Sequence, residues 1–335
     1  MRVARLHAAG DLRIAVEAEP VPGPGESLVR VGAVGLCGSD LHWYSEGHIG
    51  DAGLTRPLVP GHEFAGVAEG GRYDGRVVAV DPAIPCRLCP MCEAGHRNLC
   101  PQVRFAGHST TDGGLQEAIA WPERSLHPVP AEFTAADAAM LEPLGVALHA
   151  WDLAHARVGD TVAVIGAGPI GLLAIQVARA GGAGRVIVVE PLDHRRRAAE
   201  RAGAATTLAP TEAGAAAWRE LSGLGCDVVL EFAGTDPAIA TALTAARPGA
   251  RVLLGGIPCD DTSSFPAGPA RRKGLTLVMV RRMKEMYPRA IDLVATGHVD
   301  VRSIVSEQAP LAAADRAFIR ATNRSGLKVV IDPSA

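Results

Sequence analysis

Cys86, Cys89, Cys92 and Cys100 stand in the pattern C-x2-C-x2-C-x7-C. Thiolates at this spacing can converge from one compact loop, and the fourth can close a tetrahedron. Four soft ligands in a closed set fit a structural Zn²⁺ at roughly 2.3 Å per sulfur. An iron–sulfur cluster is the rival, because the bacterial run also opens C-x2-C-x2-C, but it closes with x3-C-P. Pro101 does follow Cys100; the longer last gap and the single quartet weigh against the cluster. Four unliganded thiols are the third alternative.

The turn Gly166-Ala167-Gly168-Pro169-Ile170-Gly171 has the chemistry of an anion seat. Gly166 permits a tight turn, Gly168 lets a pyrophosphate approach the backbone at a helix N-terminus, and Gly171 allows close helix–strand packing. Glu190 ends the next apolar run, 19 residues past Gly171. Its carboxylate can accept hydrogen bonds from an adenosine ribose and repels a 2′-phosphate, which points to NAD in preference to NADP. Arg195-Arg196-Arg197 pulls the other way. Arg195, the first of them, can meet a 2′-phosphate; the bland alternative is a solvated helix face.

Cys37, His62, Glu63 and Glu142 form a third set, widely separated in sequence. Taken singly, each reads as a buried thiol, a surface His-Glu pair or a helix carboxylate. Together they offer one thiolate, one imidazole and carboxylates, a donor set that suits a catalytic Zn²⁺ with an open position for a substrate oxygen.

Two kinds of scaffold must carry these groups. Residues 1–147 are rich in Gly, Pro, His and Cys, with short β-type runs at 28–34, 64–68, 77–80 and 116–120. They predict an irregular β domain with polar loops. A helical pattern over 134–153 leads into a different region. From 148 to 282, strands at 162–165, 185–189, 227–232, 251–254 and 275–280 alternate with helices at 170–180, 193–202 and 237–246. Alternation of this kind predicts a doubly wound parallel sheet, and continuous apolar strands fit a sheet covered on both faces. Residues 283–335 add helices at 284–296 and 312–322 and a last strand at 327–331.

Length and composition set the outer bounds. The 335 residues suffice for two domains, and 48% hydrophobic against 21% charged residues excludes a disordered chain. The formal net charge of −3 leaves no footprint for nucleic acid or an anionic membrane. Basic charge is almost all arginine, 30 Arg against 3 Lys. No run reaches the ~18–20 apolar residues of a membrane span, and the N-terminus has no signal-peptide pattern, so the expected location is the cytoplasm. Cys226 and Cys259 are expected to be ordinary buried thiols.

The order and spacing of several motifs extend these readings. They are Cys37-Gly38-Ser39-Asp40-Leu41-His42, Gly61-His62-Glu63, the four-cysteine loop, Gly113-Gly114-Leu115-Gln116-Glu117, Leu141-Glu142-Pro143-Leu144 and the glycine turn. On these motifs the chain resembles the zinc-containing medium-chain dehydrogenases over essentially its whole length, and most of all their polyol branch, the sorbitol and L-idonate dehydrogenases. The resemblance implies a GroES-like catalytic domain over 1–147 and 283–335, a Rossmann NAD-binding domain over 148–282, two Zn²⁺ per chain and a homodimer or homotetramer.

It further implies that Cys37 and His62 bind the catalytic zinc, with Glu63 a third or exchangeable ligand and Glu142 reaching the metal directly or through water. Ser39 and His42 would pass the alcohol proton toward solvent. Trp43, where some polyol enzymes carry tyrosine, and Arg282 would touch substrate. The implied reaction is reversible oxidation of a secondary hydroxyl of a polyol or sugar acid to a ketone. Alternatives are the same chemistry on a cyclitol, an amino-polyol or L-threonine, or a non-catalytic nucleotide-binding relic. Between Glu63 and Cys86 the chain is shorter than the pattern, with Asp74-Gly75-Arg76-Val77 in place of Gly-Asp-Arg-Val, which leaves strand pairing there open.

Overall fold

The computed structural model describes residues 1–258 and 262–335; Cys259 lies outside them. The chain divides into two compact units. One comprises Met1–Glu142, Tyr287–Ala295 and Val301–Ala335, the other Pro143–Met286 and Thr296–Asp300. No described helix is long and apolar enough to cross a membrane.

The first unit is built around the strand Glu26–Gly35, seven of whose ten residues are buried, as a strand covered on both faces must be. It pairs antiparallel with Glu63–Glu69, Ala118–Pro122 and Lys328–Asp332. The sheet continues through Val77–Val80 to Leu126–Pro128 on one side and to Val305–Pro310 on the other. Val31, Val34, Phe64, Leu115, Trp121 and Phe318 belong to its core. The shortened region pairs without disruption: a 3-10 turn at Gly71–Tyr73 returns the chain so that Ala65 faces Ala79 and Val67 faces Val77.

The described residues of the second unit include six parallel strands. Numbered in chain order they are Thr161–Ile165, Arg185–Val189, Thr206–Leu208, Cys226–Glu231, Ala246–Leu254 and Thr276–Met279, and they lie side by side as 3-2-1-4-5-6. This is the doubly wound Rossmann order, whose ligand crevice opens where strand order reverses, beside strands 1 and 4.

Three features depart from the periodicity reading. The helix expected over 134–153 is two helices, Ala135–Ala139 and Leu141–Ala154, and the first is closed by a Thr134/Asp137 capping box. The division between the units falls within the second of these helices. The segment Cys37–Asp40 does not merely turn; it opens the helix Gly38–Glu46. Thr296–Asp300 belongs with the parallel-sheet unit because Gln176 exchanges two hydrogen bonds with the Asp300 backbone, at 3.0 and 2.7 Å.

Tyr287 opens the helix Tyr287–Ala295 and anchors it in the first unit. Its hydroxyl donates to the Val80 carbonyl at 2.7 Å, and its ring stacks on His127 with centroids 4.4 Å apart and an interplanar angle of 6°. Burial pulls His127 down to about 4. Between that value and the ordinary 6.5, the unfolded chain binds a proton that the folded chain refuses, so stability falls as pH drops through this window. His127→Phe keeps a flat ring and removes the titration. Urea unfolding at pH 7 and pH 4.5 should show the variant losing about 2 kcal/mol less than the parent. An identical loss in both proteins would contradict the burial of a neutral His127.

Candidate metal and dinucleotide sites

Cys37 is the N-cap of the helix Gly38–Glu46, and Asp40 at its third position completes a capping box. One oxygen of Asp40 accepts the Cys37 N–H at 2.9 Å. The other accepts the Gly61 N–H at 3.0 Å and lies 3.6 Å from His62 Nδ1. Asp40 is fully buried. Burial alone would raise its pKa; the charge and hydrogen bonding of His62, with the two N–H donors, outweigh that and hold it below the usual carboxylate range. A local helix cap thereby orients an imidazole delivered by a loop 21 residues away.

Ligand atoms of Cys37, His62 and Glu63 all lie within 4.8 Å of one another. Glu63 begins the strand Glu63–Glu69 and pairs in register with Gly35. A Cβ on Gly35 would meet the Glu63 carboxylate at 2.3 Å and Lys328 Cε at 2.8 Å, so only glycine leaves room for this pair. Lys328 forms an ion pair with Glu63 and donates to the Leu36 carbonyl at 2.8 Å. Only 1% of either side chain is exposed.

Glu142 stands outside the three-ligand group, at the start of the helix Leu141–Ala154, buried and within electrostatic reach of His62 and Glu63. Burial is the main cause that pushes it up to about 8. Lys328, paired with Glu63, lies within electrostatic reach of Cys37, Asp40 and Glu142. Burial lowers the basicity of His62, but Asp40 and Cys37 outweigh it and raise His62 well above 6.5. A thiol, an imidazole and a carboxylate that converge among buried acids fit a divalent cation in charge and donor type.

Ser39 is partly exposed on the same helix, and His42 Nδ1 lies 3.1 Å from Glu46 one turn on. Trp43 is not at an accessible surface. It is 1% exposed and packs edge-on against His108, with centroids 5.6 Å apart. Trp43 shares a buried helix face with Asp40 and Tyr44, at the i, i+3, i+4 spacing, whereas Ser39 and His42 are partly exposed.

The sulfurs of Cys86, Cys89, Cys92 and Cys100 also lie within 4.8 Å of one another, and all are free thiols. Cys100 Sγ is 3.5 Å from Cys86 Sγ and 3.9 Å from Cys89 Sγ. A tetrahedron with sulfur roughly 2.3 Å from its centre has edges of about 3.8 Å, so the quartet has the dimensions for one ion rather than a multi-iron cluster. N–H donors led by Leu88 bring the Cys86 thiol down to about 7, whereas burial pushes Cys92 up to about 12.

In the second unit, Gly166 takes φ 93°, and a Cβ on Gly171 would meet the Gly166 carbonyl oxygen at 2.0 Å. Gly168 caps the helix Pro169–Ala180, with Pro169 in its first turn, and Gly168, Pro169 and Ile170 are partly exposed. The space above Gly168 is open except for Arg195 Nη1, 3.8 Å from where a Cβ would sit. Glu190 is buried, and its oxygens accept the N–H groups of Ala167 at 2.8 Å and Leu192 at 3.0 Å. It braces the glycine turn as well as presenting negative charge there. Arg282 follows the last strand with φ 51°, a left-handed conformation that costs a non-glycine residue energy.

The comparisons with known proteins agree with this architecture. Residues 23–131 match the alcohol dehydrogenase GroES-like domain, and residues 169–296 match the zinc-binding dehydrogenase domain. The sorbitol dehydrogenase of Bacillus subtilis (strain 168) is 33% identical over 348 aligned positions, covering 100% of this chain and 98% of the relative. A Sinorhizobium meliloti 1021 protein described as a zinc-binding dehydrogenase and solved with NADP superposes with a TM-score of 0.90, at 31% identity over 99% of each chain. L-Idonate 5-dehydrogenase from Escherichia coli K-12 shares the fold, with a TM-score of 0.92, at 24% identity over 99% of this chain and 97% of that one. The protein is thus a two-domain oxidoreductase with a GroES-like domain and a Rossmann-type sheet. It belongs to the zinc-binding medium-chain dehydrogenase family.

No motif marks Gly35 or Lys328, and Asp40 stands in the Cys37–His42 motif without a role that its sequence position reveals. Lys328 did leave a signal: it is one of only 3 lysines beside 30 arginines, set in an apolar strand. Lys328→Met should cost about 3–5 kcal/mol in urea unfolding, because it strands Glu63 as an uncompensated buried charge. Adding Glu63→Gln should recover more than half of that loss. Simple additivity of the two changes would contradict their coupling.

Proposed function

We propose that this chain is a zinc-dependent, NAD-linked dehydrogenase that reversibly oxidises a secondary hydroxyl of a polyol or sugar acid, of the sorbitol or L-idonate type, to the ketone. The observation that carries this reading is the convergence of Cys37, His62 and Glu63 in a pocket of buried acids. Full-length similarity to a sorbitol dehydrogenase supports the substrate class. On this reading Cys37, His62 and Glu63 would hold the catalytic zinc, with Glu142 reaching it directly or through water, and Cys86, Cys89, Cys92 and Cys100 would hold a structural zinc.

When bound, zinc supplies polarisation of the substrate hydroxyl, and the nicotinamide supplies the acceptor for hydrogen and its electron pair from carbon. The chain's own groups do the rest. Asp40 keeps the His62 ring in place through Nδ1, leaving the other nitrogen for the metal. Ser39 takes the hydroxyl proton and His42, paired with Glu46, hands it to solvent. Arg282 offers a guanidinium with fixed donors to vicinal hydroxyls or a carboxylate. Gly166, Gly168, Pro169, Ile170 and Gly171 receive the pyrophosphate. Glu190 favours NAD, and Arg195 offsets part of that preference. The assembly we favour is a cytoplasmic homodimer or homotetramer.

Protein purified without chelator should carry about two zinc ions per chain. Cys37→Ser should lower this to about one and abolish turnover with the fold intact, whereas Cys89→Ser should damage folding. Full activity in Cys37→Ser would remove that residue from the site.

Kinetics on a panel of polyols and sugar acids should give a higher kcat/KM with NAD than with NADP. Arg282→Ala should lose activity on that panel while largely sparing 2-butanol, which has no second hydroxyl to bind. Equal loss on both substrate types, or none on either, would take Arg282 out of the site and weaken the polyol assignment.

A further inference from the structure

Glu231, the last residue of strand 4 in the parallel sheet, is completely buried and has no part in the reading above. Its Oε1 accepts the N–H groups of Ala233 at 2.6 Å and Gly234 at 2.7 Å. Its backbone carbonyl accepts those of Gly255 at 2.8 Å and Gly256 at 3.1 Å, just past strand 5. Its Oε2 is buried and has no hydrogen-bond partner among the described residues. Burial is the leading influence on this carboxyl and raises it above the usual range against the N–H donors. A buried acid held this way costs stability, and an apolar residue would avoid that cost.

The loops it joins are packed backbone against backbone. The Phe232 N–H donates to the Ile165 carbonyl at 2.9 Å, next to the glycine turn. A Cβ on Gly166 would lie 3.1 Å from the Ala233 nitrogen, and one on Gly256 would lie 2.1 Å from the Gly234 nitrogen. Ile257, in the same group of loops, leaves an apolar side chain 46% exposed. Glu231 is therefore the staple of the loops after strands 4 and 5, and these loops abut the turn after strand 1.

In a doubly wound sheet the dinucleotide crosses the switch point between strands 1 and 4. Glu190, at the end of strand 2, marks the adenosine side. The other mononucleotide then falls over the ends of strands 4 and 5. We propose that Glu231 is a positioning residue for the nicotinamide half of the cofactor: its carboxyl fixes the 232–234 loop, and the 255–257 loop, tied to the Glu231 carbonyl and packed against Gly234, completes the seat. The adenosine half, held on the other side of the switch point, does not depend on it. This inference rests on the reading of the unit as a nicotinamide-dinucleotide site.

Calorimetric titration of the zinc-loaded protein with NADH and, separately, with 5′-AMP tests both levels. Wild type should bind both. Glu231→Leu should weaken NADH by about tenfold, the effect of losing hydrogen bonds to a strong acceptor, and leave AMP within about twofold. Glu231→Gln, which keeps an oxygen facing the same N–H groups, should restore NADH to within about threefold of wild type. If Glu231→Leu does not fold, Glu231→Asp replaces it, since the shorter side chain draws the oxygen back and should show the same split. Unchanged NADH affinity, equal weakening of NADH and AMP, or failure of Gln to rescue would each overturn the role of Glu231. A wild type that binds no NADH would overturn the dinucleotide reading itself, and the inference with it.

Discussion

Glu63 and Lys328 meet in the interior of the GroES-like unit with almost no surface exposed, and much of that unit is arranged around making the encounter possible. Desolvating two charges costs several kcal/mol per ion, and their attraction offsets it only with good geometry and further hydrogen bonds. Gly35 makes room for the two side chains, and the Leu36 carbonyl accepts a hydrogen bond from the lysine ammonium. Strand register places Gly35 opposite both Glu63 and Val330, so the central strand Glu26–Gly35 sets the position of the acid and the base together. Cys37 follows immediately, at the point where this strand gives way to a helix, and Asp40 ties that helix to the loop that carries His62. The ligand geometry is therefore a property of the sheet and one capping box, not of the loops that display it.

The parallel-sheet unit solves a related problem with the same residue type. Glutamates end strands 2 and 4, and each uses its carboxylate to hold backbone N–H groups of the loops around the switch point. These loops pack backbone against backbone, so a Cβ at 166, 234 or 256 would collide with a neighbouring loop, one at 255 would meet the Phe232 ring, and Gly171 lets its helix approach the turn after strand 1. Without side chains to pack, such loops need hydrogen bonds to keep one conformation. Buried carboxylates provide them at fixed positions along the sheet edge.

Much of this was legible from residue order alone. Thiol spacing marked the four-cysteine loop because its ligands lie close in sequence, and the glycine turn was legible because strand and helix periodicities flank it. Pairings between distant side chains left no such trace. Nothing local links Asp40 to His62, or Lys328 to Glu63, because β-sheet register brings them together. The residues from Cys37 onward read as a turn because Gly-Ser-Asp is turn-forming, yet the same types cap a helix. Trp43 stands in a motif position that implies substrate contact, and the folded helix buries it on the face of Asp40 and Tyr44. The sequence shows the charge of Glu190, whereas its two backbone hydrogen bonds exist only in the folded turn.

The central claim is that this chain builds two metal sites of different ligand character, one of four sulfurs and one of a single sulfur with nitrogen and oxygen. Zinc K-edge X-ray absorption on the purified wild-type protein tests it directly. Five thiolates shared between two ions predict an average of about 2.5 sulfurs per zinc near 2.3 Å, with the remaining ligands lighter and nearer 2.0 Å. In Cys37→Ser the average should rise toward four. A wild-type spectrum that already shows four sulfurs and no lighter ligands would mean that the Cys37–His62–Glu63 site does not hold zinc, and would contradict the account.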